Sequence, residues 1–67
     1  MTIRTLEQRI VDMREGACRL RAEADEMRAM ARMLSLRIHR ERLMEMADEL
    51  DGRAQSIERE LQRMEEG

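Results

Sequence analysis

Reactive side chains are sparse in this chain, and their spacing sets them apart from one another. His39 is the only histidine and Cys18 the only cysteine. An activated thiol needs a base within reach, and no histidine neighbours Cys18, which reads as a small packing residue. His39 has no cysteine or carboxylate at metal-ligand spacing on its own helix face, so it reads as a polar residue of the connection or of the start of the second helix. The fifteen acidic residues alternate with thirteen basic ones, a pattern of solvated salt-bridge faces rather than paired acid and base. Gly16 and Gly52 are isolated, so no glycine-rich phosphate loop is present, and inside helices each costs about 1 kcal/mol. Either glycine would be explained by a close backbone approach. The residues therefore assign no catalytic site, no metal site and no cofactor, and the expectation is a protein that is not an enzyme.

What remains is a scaffold. The 67 residues are 42% charged and 42% hydrophobic, with no aromatic residue, no proline and three glycines. That is the composition of long helices or a coiled coil. A chain this short supports a single domain, residues 1–67, and has little core to stabilise it; one cysteine allows no internal disulfide, which leaves oligomerisation as the remedy. Every basic residue is arginine, a usage that matches the codon bias of a high-GC bacterial genome. No apolar run approaches the roughly 18 residues of a membrane span, and no secretory h-region is present, so a soluble, cytoplasmic protein is expected, without a membrane partner.

Hydrophobic periodicity organises the chain into two stripes. From Ile3 and Leu6 the first runs through Ile10, Met13, Ala17, Leu20, Ala24, Met27 and Ala31 to Leu34 in steps of three and four; Thr2 is the expected N-cap. The second runs Leu43, Ala47, Leu50, Ala54, Ile57, Leu61 and Met64. The two are out of register by two residues, about 200° around a helix, which no coiled-coil irregularity absorbs. Residues 34 to 39, Leu-Ser-Leu-Arg-Ile-His, instead alternate apolar and polar, and the break falls there. Helix 1 is expected over about 3–33, the connection over 34–39 and helix 2 over about 39–65. The fold class is all-α, an antiparallel helical hairpin with a coiled-coil-like, alanine-rich seam.

Pairing the stripes antiparallel supports this architecture. The register that sets Ala31 against Leu43 also sets Met27 against Ala47, Ala24 against Leu50, Leu20 against Ala54 and Ala17 against Ile57. Each layer joins a small residue to a large one, as interdigitating helices require. Flanking residues agree: Arg21 falls near Asp51, Arg14 near Glu58 and Glu23 near Arg53, with the like pair Glu7 and Glu65 at the open end. Two straight chains lying antiparallel would form the same layers as a domain swap, so the pattern accommodates either a hairpin or a swapped dimer.

The hairpin leaves apolar residues uncovered. Val11, Cys18, Ala22, Ala29 and Met33 form a second stripe on the back of helix 1, whereas the back of helix 2 is polar. The simplest cover is helix 1 of a second copy, and a dimer of hairpins forming a four-helix bundle is the expected assembly. Eight methionines are present; Met30, Met33, Met44 and Met46 gather near the connection with Leu36 and Ile38. Methionines fill cores, and they also serve adaptable docking surfaces, so this end is a candidate patch for an unidentified protein partner.

The run from Arg40 to Leu50, Arg-Glu-Arg-Leu-Met-Glu-Met-Ala-Asp-Glu-Leu, with Met27-Arg28-Ala29-Met30-Ala31 before it, resembles short uncharacterised bacterial proteins built from two amphipathic helices. That family commonly carries an Asp-Pro start to its second helix and an aromatic where Leu50 stands, and this chain has neither. In length and topology the chain is also similar to the Rop family, hairpins whose dimer binds paired RNA loops. The Rop resemblance implies an alternative role as an RNA- or DNA-binding regulator, for which the contacts would be Arg28, Arg32, Arg37, Arg40 and Arg42 near the connection. Against it stand the net charge of −2 and the missing aromatics, since loop and single-strand recognition leans on stacking platforms. The reading the residues favour is a self-associating helical module that acts through protein contacts.

Overall fold

Thr5 starts the first helix. Its backbone is extended and its hydroxyl accepts a hydrogen bond from the Gln8 N–H at 3.2 Å, satisfying one of the free donors of the first turn. A computed structural model describes residues 5–66 of the chain; Thr2, the expected cap, lies outside the described residues, and so does Ile3. From Thr5 the chain forms α1, Leu6–Met33, and after a short connection α2, Arg37–Glu66. The two helices pack side by side as a hairpin, and the described residues contain no strand.

The connection is Leu34-Ser35-Leu36, shorter than the six residues read from the alternation. Leu34 is extended, at φ −87° and ψ 134°, and its N–H closes the last turn of α1 on the Ala31 carbonyl at 3.2 Å. Among the described residues no backbone has positive φ and no peptide bond is cis, so the reversal needs neither glycine nor proline. Arg37 and Ile38 belong to α2. The Arg40 N–H donates to the Leu36 carbonyl at 3.1 Å, and Arg37 holds Glu41 one turn on at 2.8 Å. Side chains at that spacing support a helix start that period-two alternation had disguised.

The core is thin. Ala17, Ala24 and Ala31 of α1 and Ala47, Ala54 and Leu61 of α2 are its buried residues. Ala24, Ala47 and Ala54 are fully buried, which is what close approach of two helix backbones produces. Most larger apolar residues of the stripes, among them Leu20, Met27, Leu50 and Ile57, are half-buried, Leu61 being buried and Leu6 exposed, and among the described residues no large side chain is fully enclosed. One layer of two helices can enclose alanines at the contact line but leaves leucines partly open at its flanks. The molecule is accordingly a slab, with extents of 49 × 26 × 14 Å.

Gly16 and Gly52 sit inside the helices, and neither marks a close approach: a Cβ built at either position meets nothing within 4 Å. Their absence of a side chain makes no room for a neighbour within the chain.

Candidate functional site

The flanks of the contact line differ in kind. With about 100° of rotation per residue, Arg21 and Arg28 fall on one side of Ala24, and Leu20 and Met27 on the other. On α2, Asp51 and Glu58 fall on one side of Ala54, and Leu50 and Ile57 on the other. Antiparallel packing brings the two charged flanks together on one side of the slab and the two apolar flanks together on the opposite side.

On the charged side a ladder forms. Arg14 pairs with Glu65. Arg21 makes a two-pronged contact with Glu58, Nε to Oε2 at 3.1 Å and Nη2 to Oε1 at 2.5 Å, and stands 3.7 Å from Asp51. Arg28 reaches Asp51 at 2.5 Å and Asp48 at 3.1 Å, with Asp25 of its own helix at 3.6 Å. Hydrogen bonding to Glu58, reinforced by its charge, raises the Arg21 pKa, and the reciprocal bond from Arg21 lowers that of Glu58. Hydrogen bonds to Asp51 and then Asp48 raise the Arg28 pKa. The Arg28 rung is the most sheltered, with the side chains of Arg28 and Asp51 only 26% and 29% exposed.

Two of the pairs read from the sequence do not form as read. Arg14 takes Glu65 in place of Glu58, and no ion pair joins Glu23 to Arg53 among the described residues. Glu65, read as facing the like charge of Glu7, faces Arg14 instead. The cause is directional. Helical side chains lean toward the N-terminus of their own helix, so an arginine on α1 leans toward the open end and a carboxylate on α2 leans toward the closed end. The lean favours carboxylates further toward the open end, Glu65 for Arg14 and Glu58 for Arg21, while Arg21 keeps Asp51 within 3.7 Å. The signal was present in the sequence as arginine every seventh residue at 14, 21 and 28 and an acid every seventh at 51, 58 and 65, a spacing that marks one flank of each helix.

The opposite side is open. Met13, Leu34, Leu43 and Met64 are half-buried there alongside Leu20, Met27, Leu50 and Ile57, and Ile10 is half-buried at the open end of the contact line. Met30 and Met46 extend this side as exposed residues. Around the closed end, Met33 is 86% and Ile38 71% exposed, with Leu36 and Met44 also uncovered. The residues read as a docking patch thus stand in solvent at one end of the slab. Val11, Cys18, Ala22, Ala29 and Met33 are all exposed on the outer face of α1, and Cys18 carries a free thiol.

The arginines near the connection divide. Arg28 is held by three aspartates and Arg37 by Glu41. Arg28, Arg32 and Arg40 line one shallow depression with Ala31 and Met44, while Arg42 lines another on α2 with Glu41, Glu45 and Glu49. His39 is exposed in the first turns of α2. Among the described residues, no group of three or more histidine, cysteine, aspartate or glutamate side chains converges as metal ligands, and no helix is long and apolar enough to cross a membrane.

Comparison with known proteins finds no matching family model, no matching curated protein and no matching solved structure. The class that can be stated is the one the fold defines, a two-helix hairpin with one side closed by ion pairs and one side apolar and open.

Proposed function

We propose that the chain is a non-enzymatic, self-associating helical module that works through protein contacts, its hairpins joining into a four-helix bundle. The observation that carries this reading is the mismatch between core and surface. The buried set consists of alanines and one leucine, while on one side of the slab Leu20, Met27, Leu50 and Ile57 are only half-buried and Met30 and Met46 beside them are exposed. A two-helix slab cannot enclose these residues itself, and adding a second layer of helices is the standard remedy. In this reading the bundle is an assembly or adaptor element, and the methionine-rich closed end docks a further protein.

Sedimentation velocity combined with sedimentation equilibrium over a concentration series tests it. A compact dimer is expected. A monomer that persists at the highest concentration would overturn the reading.

A second reading has one observation in its favour, the depression shared by Arg28, Arg32 and Arg40. An RNA or DNA backbone would be its ligand, and affinity would fall steeply with added salt. The ladder weighs against it, because Arg28 is already neutralised by aspartates. Binding to a duplex or hairpin RNA that vanishes on replacing Arg32 and Arg40 would promote this alternative.

A further inference from the structure

Self-association as proposed above leaves open which side of the slab a second copy covers, and the following rests on that reading. We propose that the second copy covers the apolar side opposite the ladder, related by a two-fold axis parallel to the helices. In that arrangement α1 packs antiparallel on α2 of the partner, and both closed ends lie at the same end of the bundle.

The two sides are not equivalent as interfaces. Covering the ladder would desolvate Arg21, Glu58 and their neighbours, a cost that ion pairing rarely recovers. Covering the other side removes the half-exposed Leu20, Met27, Leu50 and Ile57 from water, which is favourable in proportion to area. The broad face of the slab measures 49 × 26 Å, large enough for the roughly 800 Å² per partner of a standard interface. The outer face of α1 is a poorer candidate: its small apolar residues are interleaved with the exposed charges Glu15, Arg19, Asp25 and Glu26.

Charge selects the axis. Glu23 lies at the α1 edge of the apolar side and Arg53 at the α2 edge; both are exposed, and neither has an ion-pair partner among the described residues. A two-fold axis parallel to the helices keeps both hairpins at one level, so the register that brings α1 against α2 within the chain is reproduced between copies. Glu23 then meets the partner's Arg53, and Met30 meets the partner's Met46, twice over. An axis perpendicular to the helices stacks like on like and brings Arg53, near the middle of α2, against its own symmetry copy. Opposite charges at flanking positions favour the first arrangement, and the like pair disfavours the second.

A spin-label distance decides between the axes. In a Cys18→Ser background, Ser35→Cys places one label on the exposed connection of each copy. The proposal expects the two labels within about two helix diameters, about 24 Å, whereas a perpendicular axis separates them by about the length of a 28-residue helix, 42 Å. The face itself is tested by sedimentation equilibrium on two variants at exposed positions that should not disturb the hairpin. Met46→Lys is expected to weaken the dimer at least tenfold and Ala22→Arg to leave it unchanged. A long label distance, or a dimer that responds to Ala22→Arg and not to Met46→Lys, would overturn this inference while leaving self-association standing. A wild-type monomer at every concentration would overturn the self-association reading itself.

Discussion

Gly52→Ala is expected to stabilise the protein. Gly52 lies in the interior of α2, where glycine is less favourable than alanine by about 0.8 to 1.0 kcal/mol, because it loses more backbone freedom on folding. The gain is realised only if the new methyl group has room, and a Cβ at Gly52 meets nothing within 4 Å. Helical backbone geometry at this position suits any L-residue, and the one local bond, from the Ser56 hydroxyl to the Gly52 carbonyl at 3.1 Å, does not involve the side chain. A gain of about 1 kcal/mol raises Tm by about 4 to 8 °C in a domain of this size. Thermal melting followed by far-ultraviolet circular dichroism, at one protein concentration for both variants, measures it. An unchanged or lowered Tm would refute the reasoning, because it would mean that something outside the chain occupies the outer face of α2. Gly16 makes an informative contrast. It is half-buried beside the apolar side, so Gly16→Ala should give a similar gain at low concentration and a different one where a second copy covers that side.

Ala24→Leu places a large side chain in a fully buried layer of the contact line and is expected to destabilise by about 1 to 3 kcal/mol; an unchanged urea midpoint would refute the packing. Thr5→Ala removes the acceptor for the Gln8 N–H and is expected to cost about 1 kcal/mol, read as a lower Tm. Glu58 has its pKa lowered by its hydrogen bond from Arg21. Its contribution is therefore complete above the ordinary value of 4.5 and lost as pH falls through the lowered folded value. The Tm gap between wild type and Glu58→Gln should be open at neutral pH and closed well below that point; a gap independent of pH would show that the pair contributes by packing instead.

The hairpin was legible because alanine and large apolar residues alternate in both stripes, and such a pattern has few other ways to pack. The ladder was less so. Facing levels can be read from Cα positions, but a long arginine reaches about a turn away, and the direction of its lean decides whether Arg14 finds Glu58 or Glu65. The connection is harder to read for a different reason. Leu34, Leu36 and Ile38 alternate like a strand, yet Ile38 is helical and 71% exposed. Its apolar character answers to nothing inside the chain, so periodicity drawn from the hairpin's own core could not place it.

The ladder also constrains how helices of different copies can meet. Its arginines all belong to α1 and its carboxylates to α2. Along that flank, α1 beside α1 would set arginine against arginine, and α2 beside α2 would set acid against acid, so only the mixed antiparallel pair is favourable. The rule holds whether the two helices come from one chain or from exchanged ones, which is why charge alone never separated a hairpin from a swap. What favours the hairpin is the connection, where Leu34 is extended and three residues suffice to reverse the chain without any strained backbone. The opposite flank repeats the preference more weakly, with Glu23 on α1 and Arg53 on α2. A second copy obeying the same rule must again present α2 to α1, and the single charge pattern then specifies both the fold of one chain and the way two would join.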